Sequence, residues 1–278
     1  MRTEDVMLRL ILETAKRDDN IRVVILNGSR ANPEAIKDPF QDFDIVYYVN
    51  DLKCIPQDHA WLEVFGERLI MQTLDDMVFD PPPPLDGMVY LMQFTDGNRI
   101  DLTIRSIKHV FDDIQKDSLT KVLLDKDDVI KDIQPASEAS YYVQKPTEAI
   151  FLSCVNEFLW VSVYVMKGLK RGHVVYAWQH LNIMRQCLRG LFDWHIGAKH
   201  DYQVAVGKLG SKYPTLLPKR WYETYLKTFS GVENNDLEES LDTLFDLFNE
   251  VAQTVSSDLG YPYSTHFSKK IKDYLLNL

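Results

Sequence analysis

The hydrophobic pattern changes period near residue 135, and this change limits what the chain can fold into more than any other feature. Before it, short β-branched runs alternate with stretches of helical spacing. After it, the strong apolar signals all recur at the helical period of about 3.6 residues. Gln134-Pro135 and Lys145-Pro146 interrupt regular structure between the two textures, because a proline pushes the residue before it toward extended backbone. The expectation is an α+β chain: residues 1–135 form a mixed β-sheet with helices, and residues 136–278 form an all-helical domain.

In the first part, Met7, Leu8, Ile11, Leu12 and Ala15 share one face of a helix over 4–16, which Asp18-Asp19-Asn20 ends. The pattern predicts strands over 21–26, 43–49, 67–73, 88–94, 99–105 and 121–124, and a helix over 106–117. Thr95-Asp96-Gly97-Asn98 makes a hairpin turn between the strands at 88–94 and 99–105. Along 99–105, Ile100, Leu102 and Ile104 alternate with Asp101, Thr103 and Arg105, so one face is apolar and the other polar. The proline run at 81–84 is loop, since proline donates no ladder hydrogen bond. In the second part, helices are predicted over 147–170 and 174–197, and Leu237, Leu241, Leu244, Phe245, Phe248 and Val251 form a further helical stripe. The acidic run at 233–239 reads as the start of that helix, where the dipole favours negative charge.

Charge and cysteine usage exclude several classes. There are 41 acidic residues against 31 basic ones, for a formal net charge of −10. A phosphate backbone calls for a basic stripe, so nucleic acid is not the expected partner, whereas an acidic cleft concentrates small cations. No apolar run of bilayer length is apparent, and the early acids Glu4 and Asp5 suit a helix start rather than a signal peptide. A cytoplasmic protein without a membrane partner is expected, as a monomer or homodimer. Cys54, Cys154 and Cys187 are odd in number and far apart, which gives neither a disulfide framework nor a zinc pattern; buried or partly buried free thiols are expected.

The residues that carry chemistry begin with Gly28-Ser29-Arg30, followed about a dozen residues later by Asp42-Phe43-Asp44-Ile45-Val46. A small Gly-Ser turn between strand and helix lets backbone N–H groups approach phosphate oxygens, and the serine hydroxyl adds a donor. Arg30 is left between a surface cap and a phosphate contact. Asp42 and Asp44 are two apart, so on a strand their carboxylates share a face roughly 7 Å apart. A divalent cation removes the repulsion between them, and magnesium prefers such oxygen ligands with substrate phosphates. Asp101, on the polar face of its strand, becomes a third carboxylate if that strand lies beside the Asp42/Asp44 strand. Three such groups can hold metal and take a proton from an attacking hydroxyl.

This combination resembles the DNA polymerase β-like nucleotidyltransferase superfamily. It is more closely similar to the aminoglycoside 6-adenylyltransferases, which modify streptomycin. The likeness extends through Leu26-Asn27-Gly28-Ser29-Arg30-Ala31-Asn32, Arg99-Ile100-Asp101-Leu102, Leu124-Asp125-Lys126-Asp127, Asn156-Glu157-Phe158 and Gly207-Lys208, to about residue 230. The resemblance implies that residues 1–135 bind ATP and Mg2+, and that residues 136–278 hold a cationic aminoglycoside, with streptomycin inactivation as the outcome. It implies Asp42, Asp44 and Asp101 as metal ligands, and Asp101 also as general base. Gly28, Ser29 and Arg30, with Lys208 and Lys212, would contact the nucleotide. The stretch containing Trp178-Gln179-His180-Leu181-Asn182 is less acidic than expected of the family, which leaves the acceptor open. The alternatives are the same fold acting on another small molecule or a protein hydroxyl, and a non-catalytic nucleotide-binding module.

Two further expectations concern the helical part. Glu157 sits among Phe151, Leu152, Val155, Phe158 and Leu159, where a carboxylate needs a partner: Arg171, Arg185 or a substrate cation. Trp160, Trp178 and Trp194 are expected to fill the core, though one of them could stack on a ring of the substrate.

Overall fold

The structure, a computed structural model, describes residues 1–229 and 231–278. It divides into two compact units, Met1–Ser140 and Tyr141–Leu278. The segment 136–140 is tied back to the first unit: Ser137 N donates to Ser118 O at 2.9 Å, and Ser140 N donates to Ser118 Oγ at 2.9 Å.

The first unit is a six-stranded sheet in the order β3-β4-β5-β2-β1-β6, with β1 Ile21–Asn27, β2 Phe43–Val49, β3 Arg68–Thr73, β4 Gly87–Phe94, β5 Arg99–Ser106 and β6 Thr120–Asp125. All neighbours are antiparallel except β2 and β5, which run parallel. Helix α1, Glu4–Arg17, is capped by Thr3 and buries Met7, Ile11 and Ala15. It packs with Phe43, Ile45, Tyr47, Ile100, Leu102 and Ile104 in the main core of this unit. The Tyr47 hydroxyl donates to Ile11 O at 2.7 Å and so joins α1 to β2. On the other face, Val23, Ile25, Val46 and Tyr48 pack against Val110 in a smaller cluster. A four-residue helix α2, Gly28–Ala31, follows β1 directly. The helix expected over 106–117 is shorter: Ser106 ends β5, Ile107–His109 is a 3-10 turn, and α3 spans Val110–Lys116.

The second unit is helical, with α4 Glu148–Lys170, α5 Val174–Lys199, α6 Tyr213–Leu216, α7 Lys219–Lys227, α8 Asn234–Leu259 and α9 Thr265–Leu276. The acidic run does open a helix, with Glu233 as the residue before α8. Phe158 of α4 stacks on Phe248 of α8, ring centres 3.6 Å apart and planes 7° from parallel. Helix α4 is long and apolar enough to cross a bilayer, with a mean hydropathy of 1.7 over its best window, contrary to the expectation that no such run exists. Here Phe151, Phe158, Val161, Val165 and Leu169 lie in the core of this unit.

Several expectations for single residues are corrected. Glu157 is exposed and Arg185 is buried, so they do not form the anticipated ion pair. Arg185 instead donates to Thr228 O, to Thr228 Oγ1 at 3.3 Å and to Asn182 Oδ1 at 2.7 Å. Trp160 is 61% exposed rather than in the core, while Trp178 and Trp194 pack against it. Cys54 is exposed, not buried; Cys154 and Cys187 are half-buried and adjacent, with Cys154 Sγ 3.4 Å from Cys187 O. The Arg185 guanidinium holds the end of α7 through Thr228, and burial lowers its pKa. Arg185→Ala is expected to destabilise the protein by about 3 kcal/mol, because it removes a buried side chain and two of the hydrogen bonds that tie Thr228 to α5, leaving Thr228 O with the Ser240 hydroxyl alone. Denaturant unfolding of the two forms at equal m-value measures this.

Candidate active site

Strand register brings the sequence-predicted carboxylates of the first unit to one end of the sheet. The antiparallel β1–β2 pairing sets Asn27 opposite Asp44, and the parallel β2–β5 pairing sets Asp44 opposite Asp101. Residues directly opposite in neighbouring strands point to the same face, about 5 Å apart. Because Phe43, Ile45, Ile100 and Leu102 turn into the core, the alternation of the strands leaves Asp44 and Asp101 on the other face. Asp42 precedes β2, and its Oδ2 lies 3.6 Å from Arg99 Nε.

Gly28 has a positive φ of 68°, and a Cβ there would overlap Asp44 Oδ2. The Asp44 carboxylate therefore rests against the glycine Cα, a contact that no other residue type permits. Ser29 is exposed beside it, and with Asp38, Phe40, Asp42 and Asp44 it lines a cavity of about 280 Å³. Arg30 is committed to structure: Nε donates to Asp42 O at 3.0 Å and Nη2 to Gln41 O at 2.8 Å. Its guanidinium also lies 3.9 Å from the centre of the Phe43 ring. These bonds fix the backbone that leads into β2.

The electrostatics are those of crowded like charges. Burial first, then the charges of Asp101 and Asp42, push the Asp44 pKa up to about 6, against an opposing pull from Arg99. Arg99 is the residue the sequence reading did not assign. It grips Asp101 with two hydrogen bonds, Nε to Oδ1 at 2.7 Å and Nη2 to Oδ2 at 2.8 Å, while reaching toward Asp42. Its position two residues before Asp101 puts it on the same strand face, a signal that was present in the alternation. Asp117, beyond α3, adds a weaker negative charge to the field at Asp44.

Among the described residues, no three His, Cys, Asp or Glu side chains come together as a metal-holding group. Strand register sets Asp44 beside Asp101, and the Arg99 guanidinium lies between Asp101 and Asp42, 2.7 Å from the first carboxylate and 3.6 Å from the second. The donor chemistry fits a hard divalent ion: oxygen ligands only, around a carboxylate whose charge is unfavourable where it sits.

The family model described as streptomycin adenylyltransferase matches residues 1–278. The chain belongs to the streptomycin adenylyltransferase family. It is 37% identical over 265 residues to the aminoglycoside 6-adenylyltransferase of Bacillus subtilis (strain 168), covering 95% of this chain and 93% of that one. It is 36% identical over 277 residues to that of Campylobacter jejuni, covering 99% and 96%. A crystal structure of an aminoglycoside 6-adenyltransferase from Bacillus subtilis aligns over 100% of this chain and 98% of its own, at 33% identity and a TM-score of 0.48. As a member of this family the chain is a nucleotidyl-transferring enzyme.

Two more residues that the family resemblance brought forward, Lys208 and Lys212, belong to the second unit. Lys208 is exposed at the start of a 3-10 turn after Gly207, and Lys212 is half-buried, its N–H donating to Val206 O at 3.0 Å.

Two outcomes follow for this streptomycin adenylyltransferase family site. Gly28→Ala is expected to displace the Asp44 carboxylate and cost about 1–2 kcal/mol for the positive φ; steady-state rates should fall at least about 100-fold, the scale for a misplaced reacting group. Asp44→Asn tests the charge crowding. Between the ordinary carboxyl value of 3.8 and about 6, the folded protein holds a proton on Asp44 that the unfolded chain has released. Stability from this group therefore falls as pH rises through that window. The variant should gain about 2 kcal/mol over the parent near pH 7.5, and the gap should close near pH 4. Thermal unfolding across that range measures it.

Proposed function

We propose that the protein transfers AMP from ATP to a hydroxyl of an aminoglycoside, with streptomycin as the first candidate, and thereby inactivates the antibiotic. The observation that carries the reading is the Asp44–Asp101 register beside Gly28, in a chain matched along its length by the family model. The names of its relatives support the acceptor class, and the cytoplasm, where ATP is supplied, supports the location.

The acceptor hydroxyl attacks the α-phosphorus of ATP in line. The new oxygen–phosphorus bond forms as the bond to the β-phosphate bridging oxygen breaks, and pyrophosphate leaves. Asp101 takes the hydroxyl proton, which requires Arg99 to loosen its two-point grip on that carboxylate. The Ser29 hydroxyl and the backbone N–H groups of the Gly28 turn bind phosphate oxygens, while Arg30 holds Asp42 in place from behind. Magnesium, held by Asp42 and Asp44 with Asp101, would offset the charge that builds on the phosphates. A non-catalytic module has no use for a self-repelling carboxylate cluster of this kind, which disfavours that alternative.

The test is a transfer assay with labelled ATP, magnesium and a panel of aminoglycosides. Labelled AMP should appear on the acceptor with stoichiometric pyrophosphate. Asp42→Ala and Asp44→Ala should each lower the rate on the order of 1,000-fold, and a chelator should stop the reaction. No labelled product from any aminoglycoside would sink the reading.

A further inference from the structure

The second unit carries an aromatic surface that its own packing does not use. Trp160 of α4 is 61% exposed and lies outside the core cluster. Its ring is nevertheless fixed, because Nε1 donates to the Tyr164 hydroxyl at 2.7 Å. Tyr164 meets His180 of α5 edge-on, ring centres 5.3 Å apart, and His180 meets Tyr176 at 4.1 Å. His180 is held in turn by its Nδ1–H, which donates to Tyr176 O at 2.7 Å. Four rings from two helices thus form one continuous ledge. An indole in water gives up the stabilisation that burial would bring, so a ring fixed there by hydrogen bonding is suited to a ligand.

One end of the ledge is acidic. Glu157, one helical turn before Trp160, is exposed, and the spacing 157, 160, 164 puts it on the same face of α4 as Trp160 and Tyr164. At the other end, one turn beyond Tyr164, stands exposed Lys167. A positively charged planar group is attracted to the ring faces and to Glu157 and repelled from the Lys167 end, so the ledge has a direction.

We propose that this ledge, ending at Glu157, is the subsite that binds the cationic guanidinium or ammonium groups of the aminoglycoside acceptor; it rests on the acceptor class proposed above. Guanidinium fits it best, since it can lie flat on the indole while donating two hydrogen bonds to the carboxylate. Adenine would also stack on the rings, but it has no use for Glu157, and the polyphosphate it carries is repelled by that charge.

The experiment uses the full chain, streptomycin as probe, and the variants Trp160→Ala, Trp160→Phe and Glu157→Gln. Steady-state kinetics give the KM for streptomycin and for ATP separately, and calorimetry gives the streptomycin Kd without nucleotide. Trp160→Ala and Glu157→Gln should each raise the streptomycin KM and Kd roughly tenfold, with Trp160→Phe in between. The KM for ATP should stay within about twofold, and because both side chains are exposed, Tm should not move. A streptomycin KM and Kd within about twofold of the parent in both variants overturns the subsite, as does a rise in the KM for ATP instead. If the unsubstituted protein transfers AMP to no aminoglycoside, the proposed reaction falls and calorimetry alone decides: a Kd weakened by Trp160→Ala upholds the ledge, and absent or unchanged binding overturns it.

Discussion

The in-register parallel pairing of β2 with β5 is the constraint on which the N-terminal site depends. Side chains alternate along a strand, so a slip of one residue would turn Asp101 into the core and bring Ile100 or Leu102 out beside Asp44. The apolar partners prevent that slip. Phe43, Ile45 and Tyr47 on β2 and Ile100, Leu102 and Ile104 on β5 are buried, and none can be exposed without losing burial worth about 1.5–3 kcal/mol per side chain. Six such residues hold two carboxylates in place. The hydrophobic effect, which has no direction of its own, becomes directional through the period of the strand.

The same register crowds negative charge where water is partly excluded, and the fold tolerates this in two ways. Arg99 supplies an internal counter-ion from the neighbouring alternate position on β5, and Gly28 lets the Asp44 carboxylate sit against backbone instead of deeper in the protein. Neither device removes the strain. Burial and the neighbouring carboxylates still disfavour the charge on Asp44, so its pKa stays above that of an ordinary aspartate. The stability given up locally is the cost of holding that field in place.

Much of this was legible in the sequence, for identifiable reasons. The strands came out within about a residue of their ends because β-branched runs bounded by turn residues leave little choice. Gly28, Asp42, Asp44 and Asp101 stood out because their chemistry needs those residue types at that spacing. What was missed depends on partners that local pattern does not name. Arg99 shares a face with Asp101 by simple alternation, yet nothing in the order of residues says that it would turn to Asp101 and Asp42 rather than to solvent. The 3-10 turns at Leu52–Cys54 and Ala60–Phe65 are too short to show a period. On α4 the difficulty is different. A helix that is apolar on nearly every side has no preferred face until α5 and α8 cover two of them, so Trp160 looked as buried as Phe158, and Glu157 looked as though it needed an arginine.

Helix α4 also shows how one element can be both scaffold and surface. Phe158 is locked by its stack on Phe248 and by Phe245 edge-on, which fixes the rotation of the helix about its axis. With the rotation fixed, the positions at 157 and 160 have no freedom to turn inward, and their exposure follows from the core rather than from any preference of their own. Gly168 lets α5 approach closely enough that Tyr176 and Ala177 touch it, and this brings His180 up to Tyr164. A ledge assembled in this way has its ordering entropy already met by folding, as do carboxylates set by strand register. Both surfaces are rigid because the residues that position them are buried side chains of regular elements, while the residues that meet a ligand are the ones those elements leave outside.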